Sequence, residues 1–140
     1  MQSKSQRYSS AVFPLVQEVA SQQQQNRVEN DAFAKKCKGL CKRAGSLIRT
    51  VGLAQAFAFF EAKGEREPQH HRFTLHIHQE LNELQLITPH NHHPNVAWLN
   101  ERIRALNLPA YMTLTREILQ LCNWHKRLAE TLIEGTDKED

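Results

Sequence analysis

Eight histidines and three cysteines are the groups in this 140-residue chain with the best chance of holding a metal or acting as a nucleophile. Zinc ligands on a helix need spacings of three or four, so that both side chains leave the same face. His70 and His71 have Thr74 and Leu75 where partners would stand, and His76 and His78 are two apart, on different faces. His90, His92 and His93 could chelate from a loop, but no cysteine or carboxylate lies close by to complete a set. These histidines are therefore expected to be exposed side chains rather than ligands. Cys37 and Cys41 do have helical spacing, but they fall on an apolar arc, where a free thiol behaves as a small hydrophobe. His125 sits in the middle of the last helix's apolar stripe and reads as a hydrogen-bonded histidine of the core or of a subunit interface. Nucleophilic catalysis lacks a G-x-S-x-G elbow or a local cysteine signature, and there is no phosphate-cradling glycine loop. Asp31 is the one aspartate before the C-terminal tail, which leaves metal-dependent phosphodiester chemistry poorly provided for. The expectation is a protein without catalytic residues, metal or cofactor.

What remains is charge. Residues 32 to 60 contain no acidic side chain, carry six basic ones, five of them in their first half, and end in the apolar run Leu53-Ala54-Gln55-Ala56-Phe57-Ala58-Phe59-Phe60. Lys35, Lys38 and Lys42 share one helical face, rising about 1.5 Å per residue, a line that can track a phosphate backbone. Arg43 and Arg49 extend the set. An ordinary solvated face is the plain alternative, but surface helices normally intersperse both signs. The overall charge of +3 would not by itself imply nucleic acid; the uneven distribution does, since the middle is basic whereas the tail from Glu134 to Asp140 is acidic. Trp98 and Trp124 fall outside or at the edge of their helices' apolar stripes and are candidates for partner contacts, or else pack a helix buried on two sides.

These residues need a scaffold, and the periodicity predicts helices throughout. Tyr8, Val12, Leu15 and Val19 define a first helix over about 5–24, with Pro14 either kinking it or marking its regular start. Asn30 or Asp31 is expected to cap a second helix. Its apolar arc carries Phe33, Cys37, Leu40, Cys41, Ala44, Leu47, Ile48 and Val51, and Gly45-Ser46 suggests a break within it. Beyond Gly52 the residues are apolar all round, as in a helix buried on most sides, and Gly64 ends that segment. Further helices are expected over about 70–86, with Phe73, Ile77, Leu81 and Leu84 inward, and over a short stretch carrying Val96, Leu99, Ile103 and Leu106. A loop over 88–94 lies between them. Pro109 separates a last helix over about 110–134. No strand is credible. The fold class is all-α, a compact bundle of about five or six helices with residues 1–140 as a single helical domain.

Low Gly and Pro content agrees with helix. The N-terminal residues are polar, with no apolar h-region, and no run approaches the roughly 20 apolar residues that span a bilayer. Three cysteines, an odd number without export features, read as reduced thiols of a cytoplasmic protein.

Two segments carry a resemblance. One is Leu47-Ile48-Arg49-Thr50-Val51-Gly52-Leu53-Ala54-Gln55-Ala56-Phe57-Ala58-Phe59-Phe60-Glu61-Ala62-Lys63-Gly64. The other runs from Tyr111 to Glu130 and contains Thr115-Arg116-Glu117 followed by Trp124-His125-Lys126-Arg127-Leu128-Ala129-Glu130. Together they resemble the small subunit of the type III-B CRISPR effector, the Cmr complex. That family is all-helical and carries I-R-x-x-G-L-x-Q-A in a central helix, then T-R-E and W-x-K-R-x-A-E in its last. Gly45 departs from a proline common in the family, and the region His70 to His93 matches no family motif. The resemblance implies a non-catalytic subunit that stacks along the complex, with the backbone subunit and further copies of itself as partners, and touches the backbone of guide and target RNA in antiviral defence. Cleavage then belongs to other subunits. Arg116 and Arg127 are weaker candidates, since the motif could use them for packing or for neighbouring subunits. A protein-only helical adaptor and a metal-binding regulator built on His70 to His93 are the rival readings.

Overall fold

The computed structural model of the chain describes residues 2–25, 27–87 and 94–137. Within them the helices are α1 (Lys4–Gln25), α2 (Arg27–Val51), α3 (Leu53–Gly64), α4 (Pro68–Glu83), α5 (Val96–Ala105) and α6 (Leu108–Leu132). There is no strand among the described residues, so the fold is an all-α bundle of six helices.

Two groups of helices share one core. Helices α1, α2 and α6 pack on one another, and α3, α4 and α5 form the second group. Helix α2 joins them, touching α1, α3, α4 and α6. Its apolar arc explains this: Ala34, Cys37, Leu40, Cys41, Ala44 and Ile48 are all buried. Helix α3 is short but contributes Leu53, Phe57 and Phe60, each shielded from solvent. Phe57, Phe60 and Phe73 form an edge-to-face series with ring centroids 5.3 and 5.6 Å apart, the geometry that the aromatic quadrupole favours. Ile77 and Leu81 of α4, Leu99 and Ile103 of α5, and Ile118 and Leu121 of α6 complete the interior.

Four local expectations are corrected. Asn30 and Asp31 do not cap α2, which starts upstream of them at Arg27; the Asn30 amide instead donates to the Gln22 carbonyl at 2.8 Å, satisfying the end of α1. Gly45-Ser46 does not break α2, because apolar residues on both sides of it pack against neighbouring helices and override local propensity. Pro14 lies inside α1, which begins ten residues before it, and so does not mark the helix start. Pro109 does not precede α6 but sits in its first turn, where its missing N–H costs nothing, behind an Asn107 cap that accepts from the Ala110 N–H at 3.0 Å.

The break occurs at Gly52, whose φ of 90° is a left-handed conformation suited to glycine. It separates α2 from α3 and turns the chain. The hydroxyl of Tyr111 accepts the Ala54 N–H at 2.9 Å, satisfying one of the first-turn donors of α3. The expected loop at 88–94 lies, except for Pro94, outside the described residues.

Candidate nucleic-acid interface

The expected strip forms on α2, but the chain itself lies across it. The segment after α6 folds back over the lysines and is fixed at its root by Gln23, a fully buried side chain of α1. The Gln23 amide donates to the Glu134 carbonyl and accepts the Glu134 N–H, both at 3.0 Å. It also donates to Asp31 at 3.0 Å. Gly135 then turns with φ 89°, and a Cβ there would stand 2.5 Å from Cε of Lys35. The Lys38 ammonium donates to the carbonyls of Ile133 and Gly135, at 3.0 and 2.8 Å. Lys42 pairs with Asp137 at 3.0 Å, and Lys35 pairs with Asp31 at 2.9 Å. The ammonium of Lys42 also holds the Asp137 carboxyl below its usual range. Lysines 35, 38 and 42 are thus collinear as expected, but each already has a partner within the chain.

The other expected contacts are dispersed. Arg43 is half-buried beside Leu40, Leu47 and Phe59. Arg49 is exposed at the far end of α2. Arg116 reaches Thr113 of its own helix at 3.4 Å. The guanidinium of Arg127 lies 5.3 Å from the centre of the Trp124 ring. Trp98 stacks on the His78 ring, with centroids 5.0 Å apart and planes 11° from parallel, and remains partly exposed.

A groove that the sequence did not reveal runs between α2 and α6. Lys42, Ser46 and Arg49 line one wall, Asn123 and Lys126 the other, and its volume is about 90 Å³. No carboxylate lines it. Lys126 is visible in the W-x-K-R segment, but only the packing of α6 on α2 puts it opposite Arg49.

The histidines correct a further expectation. His70, His76 and His78 are buried, not exposed, because α4 packs against α1, α2, α3 and α5 and has few free faces. His78 accepts the Asn95 N–H at 2.8 Å, and His70 meets Phe59 edge-on at 5.8 Å. His90, His92 and His93 lie outside the described residues. Among the described residues no three His, Cys, Asp or Glu side chains converge as a metal set. His125 is the hydrogen-bonded core histidine expected, 2.7 Å from Glu80. Burial lowers the His125 pKa to about 3 and pushes the Glu80 carboxyl well above its ordinary value. The neutral acid therefore donates to Nε2, and Nδ1 faces the sulfur of Cys41 at 3.9 Å. Cys37, Cys41 and Cys122 are buried free thiols, as expected of the first two. A cavity of about 20 Å³ beside Cys37, Cys41, His76 and His125 has room for no more than a water.

By class, this is an all-α helical bundle with a cationic flank on α2 and α6 and a histidine–carboxyl pair in its interior. Residues 4–132 match the family described as CRISPR-associated protein (Cas_Cmr5). The CRISPR system Cmr subunit Cmr5 of Thermus thermophilus is 34% identical over 89 residues, covering 63% of this chain and 67% of that protein. The X-ray structure of a CRISPR-associated Cmr5 family protein from the same organism superposes with a TM-score of 0.72 at 26% identity, covering 96% of this chain and 100% of the other. The chain belongs to the Cmr5 family of CRISPR-associated proteins. No helix among the described residues is long and apolar enough to cross a membrane.

Proposed function

We propose that the chain is the non-catalytic small subunit of a type III-B CRISPR (Cmr) effector, lying along the guide and target RNA in the cytoplasm as part of antiviral defence. It stacks with further copies of itself and against the backbone subunit, and it touches phosphates without reading bases. Family membership supports the place in the complex. The observation that carries the RNA contact is the carboxylate-free stretch from 32 to 60, which delivers Arg49 to an open groove opposite Lys126. Arg43 and Arg49 act as direct contacts; Lys38 and Lys42 act once released from the tail, and Lys35 once released from Asp31.

The test is RNA retention by the assembled complex at a series of salt concentrations. Glutamate at Lys35, Lys38 and Lys42 together, or alanine at Arg43 and Arg49, weakens binding and flattens the salt dependence. A slope identical to that of the native complex in both variants defeats the reading.

A protein-only adaptor is the second reading. The internal pairing of the three lysines favours it, as do the exposed side chains of Phe13, Phe59, Leu108 and Met112. It prevails if this subunit contributes nothing to RNA affinity alone or in the complex. Of the α4 histidines that the metal-binding reading would use, His70 and His78 pack against aromatic rings and backbone, and His71 is exposed.

A further inference from the structure

We propose that the groove between α2 and α6 is a phosphodiester-binding site whose outer cation, Lys42, is held by the chain's own Asp137 until RNA takes that carboxylate's place. This rests on the RNA-binding reading above and gives it an address and a competitor.

Three observations converge. First, the groove gathers three cations from two helices, Lys42 and Arg49 of α2 and Lys126 of α6, and no carboxylate lines its walls. Among the described residues neither Arg49 nor Lys126 lies within ion-pair distance of an acid, so two positive charges face the groove uncompensated. Second, the neutral lining is suited to phosphate. The Ser46 hydroxyl and the Asn123 amide can both donate, and the Arg49 guanidinium presents the planar fork that grips two phosphate oxygens. The volume of about 90 Å³ leaves space for a tetrahedral anion at the rim. Third, the present occupant of the Lys42 ammonium is itself an oxyanion, the Asp137 carboxylate at 3.0 Å.

That occupant is weakly held. Both partners are partly exposed, at 35% and 28% of their side-chain surface, and pairs of this kind are weak. A phosphodiester bridging Arg49 and Lys126 gains Lys42 as a third contact by displacing it. The firm anchor of the tail is farther back, at Gln23 and Glu134, so Asp137 can leave without the root of the segment letting go.

The experiment is fluorescence anisotropy of a fluorescein-labelled, mixed-sequence single-stranded RNA titrated with the full chain at several salt concentrations. Alanine at both Arg49 and Lys126 weakens binding about tenfold at low salt and reduces the slope of log affinity against log salt by about 1.4, roughly 0.7 for each lost phosphate contact. Alanine at the exposed Arg7 and Arg104, away from the groove, changes neither. Asp137→Asn tightens binding roughly two- to fivefold, the worth of a surface ion pair. Native-like binding by the Arg49/Lys126 variant, or no gain in Asp137→Asn, overturns the groove while leaving the RNA reading standing. No binding by either the native chain or Asp137→Asn overturns the groove, and if the subunit also adds nothing to RNA affinity in the assembled complex the RNA reading falls with it. Polyglutamate competing as well as unlabelled RNA of equal charge overturns the assignment in favour of an acidic protein.

Discussion

The carboxyl of Glu80 on α4 and the imidazole of His125 on α6 meet at 2.7 Å, with neither side chain reached by solvent. Burial favours the uncharged form of each, so the folded pair is a carboxylic acid donating to a neutral ring. The second Glu80 oxygen, Oε1, has no hydrogen-bond partner among the described residues, which an uncharged carboxyl tolerates better than a carboxylate.

This pairing sets a pH profile. Unfolded, Glu80 ionises near 4.5 and His125 near 6.5. Between those values the unfolded pair holds one proton on the imidazole and the folded pair one on the carboxyl, so the pair adds no slope. Above 6.5, for as long as burial keeps Glu80 protonated in the fold, the folded state holds the extra proton and stability falls as pH rises. Glu80→Gln abolishes that slope in urea denaturation between pH 6.5 and about 8, below the range where the buried thiols add their own; an unaltered slope there rejects the protonated acid.

His76 acts on the acid side. Its folded pKa is depressed to about 3, chiefly by burial and then by His125 and Arg72. A depressed histidine binds its proton more readily in the unfolded chain, so stability falls as pH drops below 6.5. His76→Phe flattens the profile between 4.5 and 6.5, where the Glu80–His125 pair is silent. A persistent acid slope there assigns it to another group.

Truncating one member of the buried pair is costly. Glu80→Ala or His125→Ala leaves a cavity and an unpaired polar group, and each loses about 3 kcal/mol or more. The double change Glu80→Leu with His125→Phe recovers much of that loss, because a matched apolar pair needs no hydrogen bond. Additive losses in the double variant contradict this account.

At the α2–α3 joint, Gly52→Ala places a Cβ on a backbone with φ 90° and costs about 1–2 kcal/mol in a thermal melt. Tyr111→Phe strips the Ala54 N–H of its acceptor and costs about 1 kcal/mol. A neutral Gly52→Ala rules out strain at the joint.

Much of the fold is legible in the sequence because helical periodicity reports burial directly. Phe73, Ile77, Leu81 and Leu84 are expected inside and are buried, as are Leu99, Ile103, Leu114, Ile118 and Leu121. Helix ends are less legible, since Gly45 and Asn30 carry the local marks of a break and a cap that tertiary packing overrides. The interior histidines escape because side-chain polarity is a poor guide to exposure; His70, three residues before Phe73, in fact extends the same stripe. Glu80, three residues after Ile77, escapes for the same reason. The candidate site is half legible. Composition finds the cations and shows the tail to be acidic, but that the tail crosses those cations depends on where α6 ends relative to Gln23, which no local pattern encodes.

The three thiols give a final consequence. Burial raises Cys37 and Cys122 to about 12 and Cys41 well above its ordinary value, so none is a competent nucleophile in the native protein. A cysteine introduced at the exposed Thr136 would be the sole target of a maleimide dye, with no native thiol to remove first. Placed next to Asp137, that dye would brighten or dim as the tail lifts, turning a singly substituted chain into its own optical sensor of groove occupancy.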